Sequence, residues 1–258
     1  MEQNFKDKKV LITGASKGLG KAAAIAFEKK GARLALAARS ADKLEALNNS
    51  FGDPGNHLVF NLDLLDSANI KMLTTDIIEN WGGVDIILHC IGGSLGVNDT
   101  LVDWKDFSKC LKGNIGIASE INRYLVSAMK EQGSGNIIHV GSVVSSEARA
   151  SVPYNTAKAA LSGYVRSLGK ELAEHGIIVA GILPGAFYGD DNAMFRYEYY
   201  KSEEYREFVK SLPQGRMPIA DEYIAMLFLL SNQELKIMSG SLISMDGGQG
   251  QAYYNFSG

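Results

Sequence analysis

A tyrosine and a lysine four residues apart could carry out acid–base chemistry in this chain. Tyr154 and Lys158 stand in the segment VPYNTAKAA, and on a helix this spacing places both side chains on one face. A free phenol has a pKa of about 10, and a neighbouring ammonium lowers that pKa by favouring the phenolate. Ser142 could hydrogen-bond the oxygen that receives the proton. These residue types predict acid–base chemistry in which a proton is transferred to an oxygen atom of the substrate.

The Tyr-x-x-x-Lys spacing predicts little by itself. The chain has 11 tyrosines and contains the spacing a second time, in Tyr197 and Lys201. The predicted strand at 136–141 brings Ser142 to its carboxyl end, where α/β sheets bind their ligands, and no such strand or serine precedes Tyr197. The first pair is therefore the predicted catalytic one and Tyr197 is interpreted as a packing aromatic. Ser145 is the alternative for the serine role.

A glycine-rich turn at residues 13–20, TGASKGLG, follows the apolar run VLI and precedes an alanine-rich stretch. Glycines allow a sharp turn and a close approach to a ligand, and the free N–H groups of a helix's first turn attract phosphate. The segment predicts a dinucleotide site. The alternative is a turn that only links a strand to a helix, because the spacing of Gly14, Gly18 and Gly20 differs from G-x-G-x-x-G.

The elements that must position these residues alternate along the chain. Short apolar runs predict strands at 8–13, 33–38, 57–61, 84–89, 136–141, 177–183 and 241–245. Helical periodicity predicts helices near 18–30, 41–50, 66–81, 103–132, 152–174 and 220–231. Near-continuous apolar strands are typical of sheets covered on both faces. We therefore predict one α/β domain spanning 1–258, a doubly wound parallel sheet of about seven strands with helices on both faces.

Residues 185–218 interrupt this alternation and are rich in tyrosine and phenylalanine. Connections of this length are uncommon, and they often cover active sites. Because this segment follows the carboxyl end of a predicted strand, we expect it to be a substrate lid. The alternative is a pair of short helices whose aromatic residues pack on the body.

Composition and charge exclude several classes of protein. The chain of 258 residues is 46% hydrophobic and 21% charged, with a net charge of −3 and basic residues spread along its length, so no nucleic-acid-binding face is expected. No apolar run approaches the roughly 20 residues of a membrane span, and the polar first residues do not predict a signal peptide. We expect a cytoplasmic protein without a metal site, in which Cys90 and Cys110 are buried thiols rather than a disulfide.

Together the glycine turn, Ser142, Tyr154 and Lys158 resemble the classical short-chain dehydrogenases/reductases, over essentially the whole chain. Further matching positions follow in the family's order: Asp63, Asn114, Pro184-Gly185, Ser239-Gly240 and Asp246-Gly247-Gly248. In its overall sequence features the chain is similar to 3-oxoacyl-[acyl-carrier-protein] reductases and related carbonyl reductases. The resemblance implies a single-domain Rossmann fold. It also implies a homotetramer, with a dimer as the alternative, built through the helices at 103–132 and 152–174 and the final strand.

The resemblance also implies a role for each site residue. Tyr154 would donate the proton, Ser142 would bind the carbonyl oxygen, and Lys158 would also hold the hydroxyls of the nicotinamide ribose. Asn114 would hold a water that relays protons to Lys158. The residues expected to bind the cofactor are Gly14, Ser16, Lys17, Gly18, Leu19, Gly20, Arg39, Ser40, Asp63, Leu64, Gly92, Lys158, Pro184 and Gly185.

Two departures from the family pattern concern the site. Where the family has Asn-Asn-Ala-Gly after the fourth strand, this chain has His-Cys-Ile-Gly at 89–92. Gly92 keeps the close approach to the cofactor, and we interpret His89 as a packing substitute rather than a catalytic group. The twelve positions from Ser142 to Tyr154 are one fewer than usual, which a deletion within 143–153 would explain.

The residues after the second strand favour NADP(H) over NAD(H). Ala38 stands where a protein that prefers NAD would place an acidic residue, and Arg39 offers a guanidinium to a 2′-phosphate. Lys17 adds a second positive charge on the same side. Asp63 would then face the adenine ring.

The predicted reaction is NADPH-dependent reduction of a ketone or 3-oxoacyl carbonyl to an alcohol. A carrier-protein-bound substrate would need a basic docking patch, for which the candidates are Lys105, Lys109, Lys112, Arg123 and Lys130. The alternatives are oxidation of a secondary alcohol or sugar at the same site, and a catalytically silent NADP-binding regulatory protein. The complete proton-transfer set argues against the silent protein, because a protein that only binds the nucleotide does not need it.

Overall fold

The apolar runs along the chain form the strands of one parallel sheet. In the computed structural model, which describes residues 4–250, the sheet has the strand order β3-β2-β1-β4-β5-β6-β7. Its strands are β1 (Lys9–Thr13), β2 (Arg33–Ala38), β3 (Leu58–Asn61), β4 (Ile86–His89), β5 (Gly135–Val140), β6 (Ile177–Pro184) and β7 (Leu242–Met245). All the pairings are parallel. The predicted sheet is therefore confirmed.

Helices cover the sheet on both faces. The α-helices of residues 4–250 are α1 (Gly18–Lys29), α2 (Ala41–Asn49), α3 (Ser67–Trp81), α4 (Trp104–Leu111), α5 (Ile117–Gln132), α6 (Val152–Leu172), α7 (Ala193–Tyr200), α8 (Ser202–Ser211) and α9 (Ile224–Leu230). Along β1, Val10 and Ile12 pack in the core that includes residues of α1, α2 and α9. Leu11 packs in the opposite core with residues of α3, α5 and α6. Both faces of each central strand are thus buried, which accounts for the continuous apolar sequences.

The order of the strands determines where a ligand can bind. The chain runs from β1 outward through β2 to β3, and then crosses back to place β4 on the other side of β1. Crossovers on the two sides of this point diverge, so a crevice opens beyond the carboxyl ends of β1 and β4. The glycine turn follows β1 directly at this edge, and Ser142 follows β5 at the same edge.

The predicted helix at 103–132 is not continuous. A π-helical turn, Lys112–Gly116, separates α4 from α5. Such turns arise where the helical ladder takes up an extra residue, and they are frequent at functional sites. This one contains Asn114.

Two further observations concern expectations from composition. Cys90 and Cys110 are both free; Cys110 is buried, but Cys90 is only partly buried. No helix within residues 4–250 is both long enough and apolar enough to cross a lipid bilayer.

Candidate active site

A cleft of about 810 Å³ opens at the carboxyl edge of the sheet. It brings together the predicted site residues Gly14, Ser16, Lys17, Gly18, Leu19, Gly20, Arg39, Ser40, Asp63, Leu64, Gly92, Ser142, Tyr154, Lys158, Pro184 and Gly185. Asn114 lies just behind them and is buried. Neither Ser145 nor Tyr197 lines the cleft. Tyr197 instead packs against Tyr205, as expected of a packing aromatic.

The glycine turn wraps closely around the start of α1. A Cβ atom at Gly20 would lie 2.3 Å from the carbonyl oxygen of Gly14, so only glycine fits there. Lys17 precedes the helix in an extended conformation and its side chain caps no N–H group. The first turn of α1 therefore directs N–H groups into the cleft without a side-chain partner, which is the arrangement that binds phosphate.

Tyr154 and Lys158 lie one turn apart at the start of α6. Pro153 occupies the first turn of this helix, where its missing N–H group costs nothing. The Lys158 Nζ lies 5.9 Å from the centre of the Tyr154 ring and donates a 2.8 Å hydrogen bond to the carbonyl oxygen of Val140. Tyr154 is hydrogen-bonded to the side chain of Ser142. The structure thus places the three side chains around one point of the cleft.

The electrostatic state of the pair differs from the expectation. Burial raises the pKa of Tyr154, and the hydrogen bond from Ser142 opposes this only in part. Burial also lowers the pKa of Lys158 to about 8. The predicted lowering of the phenol's pKa by the ammonium is therefore absent here, because Lys158 is directed towards Val140 and both groups are desolvated. With its pKa raised, Tyr154 holds a proton at neutral pH.

Asn114 fastens the loop after β4 to the π-helical turn. Its Oδ1 accepts a 3.0 Å hydrogen bond from the N–H of Gly93, and its Nδ2 donates to the carbonyl oxygens of Gly93 (2.8 Å) and Cys110 (2.9 Å). A Cβ atom at Gly92 would lie 2.7 Å from this Oδ1 and 3.0 Å from the Lys158 Nζ. Glycine at position 92 therefore lets the loop pack directly on both polar groups.

The far end of the cleft, which lies beside the carboxyl end of β2, carries positive charge. Lys17, Arg39 and Ser40 line this end, and Ala38 ends β2 beside them without a carboxylate. Burial lowers the pKa of Lys17, and the charges of three neighbouring cations lower it further against the opposing effect of a carboxylate. Asp63 also lines the cleft, and its Oδ1 accepts a 3.0 Å hydrogen bond from the N–H of Leu65.

His89 lies outside the cleft, as the packing interpretation predicts. It is buried, stacks on His139 with 4.7 Å between ring centres, and its Nε2 makes a 2.9 Å hydrogen bond with Asn122 Oδ1. Burial lowers its pKa to about 4, so the ring is neutral at physiological pH.

The segment at 185–218 forms α7 and α8 and contributes to the cleft. After Ala186, its lining residues are Phe187, Asn192, Ala193, Met194, Arg196 and Phe208. Its aromatic side chains also pack on one another: the Tyr197 ring lies 5.9 Å from that of Tyr205 and 6.2 Å from that of Phe208. The segment thus forms the pair of short helices that the sequence offered as the alternative, and some of its residues line the cleft; its action as a substrate lid stays a prediction.

Arg149 and Gln249 are among the lining residues that were not predicted from the sequence. The side chain of Gln249 accepts from the N–H of Ala186 at 2.7 Å and donates to the carbonyl oxygen of Ala186 at 3.0 Å. Arg149 donates to the carbonyl oxygen of Gln249 and lies 3.4 Å from Glu147. No motif indicates these residues, because they reach the cleft from loops far apart in the chain.

The fold and site define a Rossmann-type oxidoreductase. The sequence model of the short chain dehydrogenase family matches residues 8–198. An uncharacterized oxidoreductase of Thermotoga maritima is 30% identical over 255 residues, covering 95% of this chain and 98% of the relative. The 3-oxoacyl-[acyl-carrier-protein] reductase FabG of Escherichia coli is 28% identical over 248 residues, covering 95% and 98%.

A solved structure agrees with these sequence matches. L-sorbose reductase from Gluconobacter frateurii, complexed with NADPH and L-sorbose, superposes with a TM-score of 0.86 at 25% identity, covering 96% of this chain and 98% of that one. This protein belongs to the short-chain dehydrogenase/reductase family and is an oxidoreductase.

Proposed function

We propose that the protein reduces a ketone or 3-oxoacyl carbonyl to an alcohol with NADPH. The observation that carries the proposal is the convergence of Ser142, Tyr154 and Lys158 at one point of a cleft that begins at a phosphate-binding turn. The bound nicotinamide would supply hydride to the carbonyl carbon. The residues of the chain would orient the carbonyl and supply the proton.

Tyr154 is suited to proton donation because its raised pKa keeps the phenol protonated at neutral pH. Ser142 would hydrogen-bond the same carbonyl oxygen and stabilise the negative charge that develops on it. Lys158, with a pKa of about 8, is mostly charged at neutral pH. Burial outweighs its effect on the resting phenol, but its charge, 5.9 Å from the ring centre, would favour the phenolate that forms when Tyr154 gives up its proton. We propose that it also holds the ribose hydroxyls of the cofactor.

Asn114 would support proton return to Lys158. It would do so by holding a water that relays protons to Lys158, while its side-chain atoms stay hydrogen-bonded to Gly93 and Cys110. The amide also holds the loop that carries Gly92 against the site. We therefore assign Asn114 a positioning role in addition to the relay.

The cleft fits an NADP(H) molecule along its length. The glycine turn and the first-turn N–H groups of α1 other than that of Gly18, which donates to Asp190, would bind the pyrophosphate. Leu64 and Asp63 would flank the adenine. Lys17 and Arg39 would pair with a 2′-phosphate, and no carboxylate at position 38 would bind the ribose hydroxyls of NAD(H). Pro184 and Gly185 would contact the nicotinamide. The NADPH complex of L-sorbose reductase supports this cofactor choice.

The substrate would be a small carbonyl compound or one attached to a carrier protein. The similarity to a 3-oxoacyl-[acyl-carrier-protein] reductase supports the second, for which exposed Lys105 and Lys109 of α4 would contribute to docking. Oxidation of a secondary alcohol or a sugar-type substrate by the same residues is the second candidate, because hydride transfer is reversible, and the likeness to L-sorbose reductase supports a sugar-type substrate. We propose that residues 185–218 act as the substrate lid, and that the protein is a cytoplasmic homotetramer, with a dimer as the alternative.

The test is oxidation of NADPH and of NADH, followed with a panel of 3-oxoacyl thioesters, diketones, quinones and keto-sugars. We expect turnover with NADPH, and a loss of about 10²- to 10⁴-fold in kcat for Tyr154→Phe with NADPH binding retained. The matched control is Tyr197→Phe, which removes a phenol oxygen outside the cleft and is expected to keep full activity. Tight NADPH binding without turnover across a broad panel would favour the silent binding protein. Absence of NADPH binding would refute both the reductase and the silent NADP-binding protein.

A further inference from the structure

Four basic side chains from three segments surround the far end of the cleft. Lys17 belongs to the glycine turn, Arg39 and Lys43 lie at the end of β2 and in α2, and Arg196 lies in α7. Lys43 and Arg196 both pair with Asp191, which brings them together. The charges of Arg39, Lys43 and Arg196 all lower the pKa of Lys17. Arg196 lines the same cleft as Lys17 and Arg39. The lid segment therefore contributes to the cationic end of the cofactor site.

One carboxylate, Asp191, faces this cationic cluster. Its Oδ2 lies 2.5 Å from the Lys43 Nζ, and its Oδ1 lies 3.5 Å from the Arg196 Nη1. Arg196 also donates a 2.7 Å hydrogen bond to the main-chain oxygen of Asp191. The charges of Lys17, Lys43 and Arg196 all lower the pKa of Asp191, and the Lys43 hydrogen bond has the largest effect. Asp191 thus stands among the cluster as its counter-anion.

The backbone brings Asp191 to this place in an unusual conformation. Its φ is +52°, in the left-handed region that few residues other than glycine, asparagine and aspartate adopt. The residue before it, Asp190, pairs with Lys21 and accepts a 2.8 Å hydrogen bond from the N–H of Gly18. The start of the lid segment is therefore held directly over the glycine turn.

We propose that Asp191 occupies the place of a phosphate monoester in this structure. When NADPH binds, its 2′-phosphate replaces the Asp191 carboxylate as the ion-pair partner of Lys43 and Arg196. Lys43 and Arg196 are then cofactor-specificity residues beyond Lys17 and Arg39, and Asp191 weakens binding of the phosphorylated cofactor. This inference rests on the NADPH dependence proposed above.

The charges explain why the exchange is favourable. Asp191, with a charge of −1, neutralises only one of the four cations, whereas a phosphate monoester of about −2 balances more of the charge of the cluster. A phosphate also presents three acceptor oxygens to the guanidinium and the ammonium groups. NADH lacks this group and gains nothing from the exchange.

The experiment compares Asp191→Asn with the neighbouring control Asp190→Asn by measuring the Kd of NADPH and of NADH. Asparagine also adopts positive φ, so the substitution removes charge without adding strain. We expect Asp191→Asn to bind NADPH about threefold to tenfold more tightly at low salt, with the gain shrinking as salt screens the cluster. NADH affinity should stay within about twofold of the wild type, because that cofactor carries no 2′-phosphate. Asp190→Asn should give no such selective gain, because Asp190 pairs with Lys21 instead.

A second variant tests the lid's contribution directly. Arg196→Gln removes one cation from the cluster and should weaken NADPH binding about threefold to tenfold while leaving NADH binding unchanged. Unchanged NADPH affinity in both Asp191→Asn and Arg196→Gln would overturn the inference while leaving the NADPH dependence intact. A wild-type protein that binds NADH as tightly as NADPH would instead refute the proposed cofactor itself.

Discussion

The buried imidazole of His89 should make the fold sensitive to acid. The ring is buried and neutral with a pKa of about 4, whereas in the unfolded chain it returns to an ordinary value of about 6.5. As the pH falls below 6.5 the unfolded state takes up a proton that the folded state does not. The free energy of unfolding therefore decreases over that interval, and the His89 contribution stops changing below about pH 4.

The size of the effect follows from the two pKa values. Proton linkage gives a loss of about 2 kcal/mol between pH 8 and pH 5 from this residue, and about 3 kcal/mol once the folded state is also protonated. Asparagine at position 89 carries no titrating group and can still hydrogen-bond to Asn122. His89→Asn should therefore be about 2 kcal/mol less sensitive to that change of pH than the wild type.

Urea denaturation at pH 8 and at pH 5 measures this difference at one protein concentration, so that any assembly contributes equally. The comparison uses the change with pH and not the absolute stability, because the substitution also alters packing against His139. His175→Asn is the control, since His175 is not among the buried residues and ends a surface turn. If wild type and His89→Asn lose equal stability between the two pH values, the neutral buried imidazole is not the cause and the reasoning is wrong.

Three further predictions concern the cleft. In steady-state kinetics, Gly92→Ala should lower kcat/KM by about tenfold or more, because a methyl group would displace Asn114 Oδ1 or the Lys158 Nζ. Unchanged kinetics would mean that the loop does not set the position of Lys158. Ala38→Asp should reverse the cofactor preference, because the carboxylate would repel the 2′-phosphate and accept hydrogen bonds from the ribose hydroxyls. The ratio of kcat/KM for NADPH to that for NADH measures the preference, and a ratio that still favours NADPH would show that Arg39 determines it. Activity should fall above about pH 8 as Lys158 loses its proton, and a pH–rate profile flat to pH 9.5 would contradict the assigned role.

The sequence was sufficient to predict the sheet and to name many of the residues that line the cleft. Each predicted strand appears within about two residues of its observed ends, because strands buried on both faces leave unambiguous apolar runs. The residues that follow these strands also lie where the pattern of alternating elements predicts, since parallel strands all end at one edge. Ser142, rather than Ser145, faces the cleft for the same reason.

The features that sequence could not reveal depend on contacts between distant segments. The π-helical turn at Lys112–Gly116 leaves the apolar pattern of the helix nearly unchanged, so periodicity predicts one long helix. The raised pKa of Tyr154 reflects burial from several elements, whereas spacing shows only the nearby lysine. The pairing of Asp191 with Lys43 joins residues 148 positions apart, and no local pattern indicates it.

The hydrogen bonds of Gln249 to Ala186 have a practical consequence for protein engineering. This amide ties Gln249 to the segment that follows β6 and, through Arg149, to the loop before Tyr154, so a fusion partner that displaced Gln249 would act on the cleft. The amino end of β1 lies at the opposite edge of the sheet. Purification tags and immobilisation linkers therefore belong at the amino terminus, and kinetic constants from carboxyl-terminally tagged protein should be compared with those of the cleaved form.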